Sequence, residues 1–550
     1  MLHSRISSLS TSRRIVVAAV VAIVALSLIP VAAAAAPGQE IGSIPTPGHC
    51  PQGLTFDGKH LWNVDRKSDQ IYCVDPTDGH MIDSIPTPGY IPRGLTWDGS
   101  RLWTVDAEEE LLYAINPDTR IVERTIYCPV SNPTGLAWNG TYLWIANDRG
   151  EELNLISPED GTTISSIPSP TSHSWGLTFD GTYLWVSDRY KDRIFMVEPE
   201  RGDVVITFDS PGPHSCGLAW DGTNLWNADY QTDRIHKLVA RDDAKFVRLE
   251  SRSQECEFIH QVRNFGPDSV KTLDIYLALP HARDNQEMAG DLEYTPAPTD
   301  VLTDKWGQQV AHFRYTDLAA SDFVQVSMTA RAHLYQVRYF VFPDRIGTLK
   351  DIPKEIADKY LADDVKFDLS NEIIQDGLKK ALGDETNPYW IARKIYNYLI
   401  ENMYYELAGG WNVAPAVLER GNGSCSEYSF VYIAMCRAAG IPARYAGAIT
   451  VRSDDASYDD VFHRWVEVYL PGFGWLPVDP SGGDSKWPSD RADSFGFINN
   501  RYLITTVGGG GSEYLEWGYN ANQTWTSKGR CKVGVEYLGE WSPLVEEGEE

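Results

Sequence analysis

GNGSCSEYSFVYIAM, residues 421–435, reads as the start of a buried helix with a reactive side chain at its tip. Ser424 stands three residues before Glu427 and ahead of an apolar run, which is the pattern of a capping box. Ser424 is then the N-cap, Glu427 its capping partner, and Cys425 falls in the first turn. Unpaired backbone N–H groups and the positive end of the helix dipole there favour a thiolate over a thiol. A thiolate is a nucleophile, so the next question is whether a base and a carboxylate accompany it. Cys436, further along the same helix, reads as core.

Beyond Leu334 the sequence has one histidine, His463, in DVFHRWVEVYL (460–470). Alternating large and β-branched residues predict a strand there. PGFG (471–474) is turn chemistry, and WLPVDP (475–480) returns as a second strand. If Tyr469 faces Trp475 across this hairpin, Asp479 lies opposite Trp465, with His463 a diagonal neighbour roughly 7 Å away. Cys425 is then the expected nucleophile, His463 the base and later the acid, and Asp479 the group that fixes the imidazole tautomer. The Cys425 N–H is an expected oxyanion donor. Trp411 and Asn412, after Gly409-Gly410, are the nearest candidates for a second donor or substrate contact, and Trp411 also reads as a packing residue. Trp465 and Trp475 read either as walls of the site or as core aromatics.

The stretches GNGSCSEYSFVYIAMCRAAGIPARYAG (421–447) and FHRWVEVYLPGFGWLPVDPS (462–481) resemble the transglutaminase-like superfamily of papain-fold enzymes, over roughly residues 370 to 505. The resemblance implies an α+β papain-like core with Cys425, His463 and Asp479 as its catalytic residues. It also implies acyl transfer at peptide amides through a cysteine thioester, with a protein or peptide as substrate. Water as acceptor makes a peptidase or amidase, and a lysine amine makes a protein cross-linker. Analogy with microbial members favours hydrolysis. Arg464 departs from the family, which has a small residue after the histidine, and is expected to narrow the cleft or alter substrate choice. A reading from another class remains open: a surface binding or adhesion protein in which the thiol domain is only structural.

A second pattern lies upstream. GLTFDG at Gly53, GLTWDG at Gly94, GLAWNG at Gly135, GLTFDG at Gly176 and GLAWDG at Gly217 recur every 41 residues. Asp-Gly or Asn-Gly marks a hairpin, Leu-Trp follows in each unit, and four short strands per period predict a propeller blade. The fifth unit stops near Val239 without its fourth strand. Ile41-Gly-Ser-Ile44-Pro-Thr-Pro-Gly48 copies Ile82-Asp-Ser-Ile85-Pro-Thr-Pro-Gly89, so the first strand is expected to complete the last blade and remove both edges. A five-bladed propeller over 38–240 follows. Asp65, Asp106, Asn147, Asp188 and Asp229 recur in every unit, as a ligand or cation ring or, since the fold repeats them, as bonds within turns. The propeller is expected to hold a substrate, a surface polymer or a protein partner.

Residues 241–348 alternate apolar and polar positions between Pro and Gly clusters, which predicts a β-sandwich. The apolar spacing turns helical from 370 and runs into the core, 349–505; closing strands and an acidic end occupy 506–550. The acidic run 453–460 is a solvated loop or a weak Ca²⁺ candidate. No other cofactor or metal is implied.

The N-terminus has Arg5, Arg13 and Arg14, an uncharged run from Ile15 to Ile29, and Ala32 to Ala36. Residues 1–36 therefore read as a cleaved signal peptide or an uncleaved membrane anchor, and the remainder as secreted or extracytoplasmic. A formal charge of −28 argues against nucleic acid or an anionic membrane surface as partner. Such a compartment permits disulfides among Cys50, Cys73, Cys128 and Cys216.

Overall fold

The computed structural model describes residues 35–407 and 411–544. Nearly all of the 1–36 segment, Gly409-Gly410 and the acidic end from Glu546 lie outside the described residues. The molecule is mostly β, with a helical layer confined to one region.

Residues 40–239 form five four-stranded antiparallel sheets. Four are contiguous in sequence. The fifth takes three strands from Ser215–Trp220, Asn224–Asp229 and Arg234–Val239, and its fourth from Glu40–Pro45, with Ile44 opposite Ile235. The repeated glycine explains how the sheets meet. A Cβ on Gly53 would fall within 3.0 Å of the Arg93 carbonyl oxygen; on Gly94, of Thr134; on Gly135, of Trp175; on Gly176, of Cys216; and on Gly217, of Gln52. Each inner strand thus presses its neighbour backbone to backbone, and the cycle closes on itself. Only a residue without a side chain fits at that spacing.

The other repeated residues secure turns. Asp57 accepts from the N–H groups of Lys59 and His60 across a four-residue loop, and its second oxygen accepts from the Trp62 indole at 2.7 Å. Asp98, Asp180 and Asp221 repeat that bond to Trp103, Trp185 and Trp226. The buried carboxylates of Asp65, Asp106, Asp188 and Asp229 each accept two N–H bonds from the turn that follows them. These four members of the repeated polar set therefore serve the turns.

Two packed sheets follow. One pairs the long strand Phe246–Pro267 with Phe323–Tyr339 on one side and Cys531–Pro543 on the other; the second places Val270–Ala278 between Gln309–Leu318 and Ala521–Ser527. The segment beyond residue 506 thus supplies one strand to each layer of the sandwich.

Between these strands in sequence lies a layer of helices, Glu372–Leu382, Pro388–Asn402, Ala414–Arg420 and Cys425–Ala438, on a sheet ordered Gly474–Val478, His463–Leu470, Ala443–Thr450, Tyr502–Gly508. Asn371 and Asn387 cap the first two helices through their side chains. The helix from Cys425 is buried through Arg437, which ties its far end down by donating to the carbonyls of Ala443, Ala362 and Gly509. A helix buried all round is a core element, so its first residue is held by the whole domain. Among the described residues no helix is long and apolar enough to cross a membrane.

The ring packs against this core along its third and fourth sheets. Arg393, 1% exposed, faces Asp203 at 3.4 Å; Asn397 also donates to Asp203; Lys191 pairs with Asp490 and Arg193 with Asp493. All eight cysteines are free thiols. The disulfides permitted for Cys50, Cys73, Cys128 and Cys216 are not formed, since Cys73 and Cys128 are packed into separate hydrophobic clusters of the ring.

Candidate active site

Cys425 is the first residue of its helix, with Ser424 as N-cap. Glu427, fully buried, accepts from the Ser424 N–H at 3.2 Å. Its carboxylate does more than cap. It also accepts from the Arg420 guanidinium at 2.9 Å and from both the backbone and side-chain N–H groups of Asn412, at 3.1 and 3.2 Å. These bonds fasten the 411–412 loop to the helix tip. They also use the donors for which Asn412 stood as a second oxyanion candidate, so its role is to position the loop.

The hairpin register places Tyr469 opposite Trp475 and Val466 opposite Val478. Asp479 follows directly, and its Oδ2 accepts from His463 Nε2 at 2.6 Å. The other oxygen, Oδ1, accepts from the Ser481 hydroxyl at 2.7 Å and from the Ser481 N–H at 3.1 Å. Engaging Nε2 leaves Nδ1 of His463 for the Cys425 thiol, with which the imidazole interacts as a hydrogen-bonding and charged partner. A left-handed Phe462 (φ 61°) and the buried Asp459, which accepts from the Val461 and Phe462 N–H groups, set the approach to His463.

The electrostatics of the three groups are coupled. Burial alone pushes the Cys425 thiol up, but the hydrogen bond and charge of His463 and the Arg464 N–H outweigh it and hold the thiol below its ordinary value. Burial pulls His463 down, yet the Asp479 carboxylate reverses this and raises it well above its ordinary value. Asp479, despite burial, is held low by His463 and Ser481. All three shifts favour a thiolate–imidazolium–carboxylate relay.

Two recesses flank the pair. The larger, about 540 Å³, is lined by His463, Trp465, Asp479, Ser481, Asp493 and Tyr502 among others; the smaller, about 160 Å³, by Trp411, Cys425, Phe462, Tyr519, Asn520 and Tyr537. Trp465 lies 5.8 Å from the His463 ring and 5.0 Å from Tyr502, so it is a wall of the site. Trp475 is not. It lies on the same strand face but four residues from Asp479, about 13 Å along an extended chain, where it packs on Tyr360 and under Arg444.

Arg464 likewise stays out of the cleft, because strand alternation sends it to the face opposite His463. Its side chain is buried, donates to the Trp517 carbonyl, and sits over the rings of Tyr519 (4.3 Å) and Trp411 (4.9 Å), both of which line the smaller recess. Within the acidic run, Asp459 is paired with Arg452 and Asp455 with Arg252. Those carboxylates do not converge, and the described residues contain no group of three or more His, Cys, Asp or Glu arranged to hold a metal ion.

Ser481 was legible as a residue two positions beyond Asp479, the spacing at which a side-chain oxygen accepts from a turn. Tyr519 and Tyr537 carried no local signal, since they arrive through the sandwich.

Parts of the chain are similar to known proteins. Residues 376–480 match the transglutaminase-like superfamily model. An uncharacterized protein of Haemophilus influenzae is 32% identical over 130 residues, covering 20% of this chain and 35% of the relative. YebA of Bacillus subtilis, also uncharacterized, is 26% identical over 170 residues, 29% of this chain and 21% of the relative. The chain thus spans about a third and about a fifth of the lengths of these relatives. A candidate cysteine protease of Cytophaga hutchinsonii superposes with a TM-score of 0.38 at 14% identity, covering 54% of this chain and 100% of that one. A glutaminyl cyclase of Myxococcus xanthus gives 0.34 at 17% identity, covering 37% and 96%. Residues 376–480 form a transglutaminase-like domain.

Proposed function

We propose that this chain is an exported cysteine enzyme that cleaves peptide amides through a Cys425 thioester, with the ring of five sheets acting as a five-bladed propeller for recognition. The observation that carries the reading is the relay itself. A buried thiol is held below its ordinary pKa at a helix tip by an imidazole whose far nitrogen is bonded at 2.6 Å to a carboxylate.

In this reading the Cys425 thiolate attacks the amide carbonyl, and the oxyanion that forms is met by the Cys425 N–H. The imidazolium of His463 gives its proton to the departing amine, leaving a thioester and a neutral imidazole. His463 then takes a proton from water, hydroxide adds to the thioester, and Cys425 leaves as the thiolate with release of a carboxylic acid. Asp479 holds the tautomer and stabilises each imidazolium. The open recess of about 540 Å³ beside His463 gives water access, which supports hydrolysis over transfer to a lysine amine. The leader-like N-terminal sequence supports export, and the charge of −28 disfavours nucleic acid as partner.

Mass spectrometry of a peptide library incubated with the protein, with and without a primary amine, tests the reading. Cleaved amides that vanish in Cys425→Ala support it; amine-linked products make the enzyme a cross-linker. Absence of any turnover together with sluggish alkylation of Cys425 would leave a binding protein with a structural thiol.

A further inference from the structure

Five positions precede the repeated glycine, one per sheet, and all five line the axis of the ring: Gln52, Arg93, Thr134, Trp175 and Cys216. The neighbouring Gly and Leu repeat because the fold needs them. These five differ, so packing alone does not dictate them. Two arginines grip the single tryptophan, with Arg189 4.2 Å and Arg93 4.8 Å from the Trp175 ring. Burial depresses the basicity of Arg93, and the charges of Arg66 and Arg189 add to this while those of Asp148 and Asp106 oppose it.

Among the described residues none of the three guanidinium groups has a carboxylate in ion-pair contact. The buried Nε of Arg93 has no hydrogen-bond partner, and only Nη1 is engaged, at 3.3 Å from the Pro133 carbonyl. Of the carboxylates that act on Arg93, Asp148 is bonded to His173 at 2.9 Å and Asp106 accepts from the N–H groups of Ile91, Glu108 and Glu109. Exposed Tyr90, Tyr190 and Tyr230 rim the same end, Tyr190 against His173 and Tyr230 against His214. Arg66 and Arg189 directly follow the buried Asp65 and Asp188, whose oxygens are taken by turn N–H and hydroxyl groups, so the guanidinium groups keep donors free for an added carboxylate.

We propose that this axial mouth is a carboxylate-binding site, formed by Arg66, Arg93, Arg189 and Trp175, that holds an acidic segment of the peptide substrate. A peptide is favoured because the mouth and the cleft share one turn. Arg189 and Tyr190 are followed by Lys191, bonded to Asp490, and by Arg193, bonded to Asp493, which lines the recess beside His463. The assignment of the ligand as substrate rests on the function proposed above; the site itself does not.

The binding test therefore uses the full chain carrying Cys425→Ala, titrated calorimetrically with a hexaglutamate peptide, a hexaglutamine peptide and an oligouronate of equal charge. Expected are saturable, salt-sensitive binding of hexaglutamate, none of hexaglutamine, and at least about a tenfold loss in Arg66→Gln/Arg189→Gln. In active enzyme, a glutamate-tagged peptide should show a lower KM than its glutamine-tagged twin, and the double variant should erase that difference while leaving turnover of the glutamine twin unchanged. No binding of hexaglutamate, equal binding by a double variant with unchanged melting temperature, or tighter binding of the oligouronate overturns the proposal. Binding without any KM advantage overturns the substrate assignment. Binding by a protein that turns over no peptide instead counts against the catalytic reading alone.

Discussion

Arg393 of the core, 1% exposed, points its guanidinium Nε at the Asp203 carboxylate of the ring across 3.4 Å. Burial opposes charge on both, but each holds the other ionised: Asp203 stays below and Arg393 above the ordinary value. Breaking one partner of a buried pair strands the other. Asp203→Ala should therefore cost about 3–5 kcal/mol, read as a lower melting temperature and as faster proteolysis between ring and core. Unchanged melting would mean that the two parts are held together elsewhere.

Cys425→Ala should abolish turnover without altering the fold, because Ala is well tolerated in a first helical turn. Asp479→Asn leaves Cys425 and His463 in place but offers Nε2 an amide. Turnover should fall on the order of 10³–10⁴-fold through loss of the correct tautomer. A drop of less than tenfold would make Asp479 a bystander.

The pH dependence follows from the directions of the shifts. Activity should disappear as pH falls through the lowered Cys425 value and again as pH rises through the raised His463 value. The same pair contributes to stability in a window. The His463 contribution is fully present below its ordinary 6.5 and lost as pH rises through its raised value. The Asp479 contribution is present above its ordinary 3.8 and lost as pH falls through its lowered value. Thermal melts of parent and Asp479→Asn should differ most between those limits and converge outside them.

Selective alkylation gives an independent check. Burial pushes Cys73, Cys128 and Cys216 up to about 12 and raises Cys436 and Cys256 further. Near neutral pH iodoacetamide should modify Cys425 well ahead of those five, although it is only 7% exposed. His463→Ala should move its reaction toward alkaline pH. Peptide mapping of the modified protein measures both effects.

The ring should open at its seam. Ile44 is 5% exposed and packs with Ile235 and Ala228. Ile44→Ala should cost about 2–4 kcal/mol, and removing residues 38–48 should lower the melting temperature further by exposing the edge of Arg234–Val239.

Much of this was readable in the residues. The 41-residue period named every sheet of the ring because each unit carries its own turn-binding Asp or Asn and its own close-packing glycine. The facing of Tyr469 and Trp475 followed from turn length alone. What escaped was the long-range traffic. That Ala521–Ser527 and Cys531–Pro543 join the sandwich is set by pairing partners more than 240 residues away, which local alternation cannot specify. Trp475 stayed open between a wall and a core aromatic because sequence proximity to Asp479 hides the distance an extended strand covers. Arg464 looked like an intruder because its partners, Tyr519 and Trp517, come from the far end of the chain.

Those late strands also order events during biosynthesis. A chain emerging from the ribosome exposes Cys425 well before Tyr519 and Tyr537 arrive to enclose it. The thiol therefore spends that interval without its finished pocket.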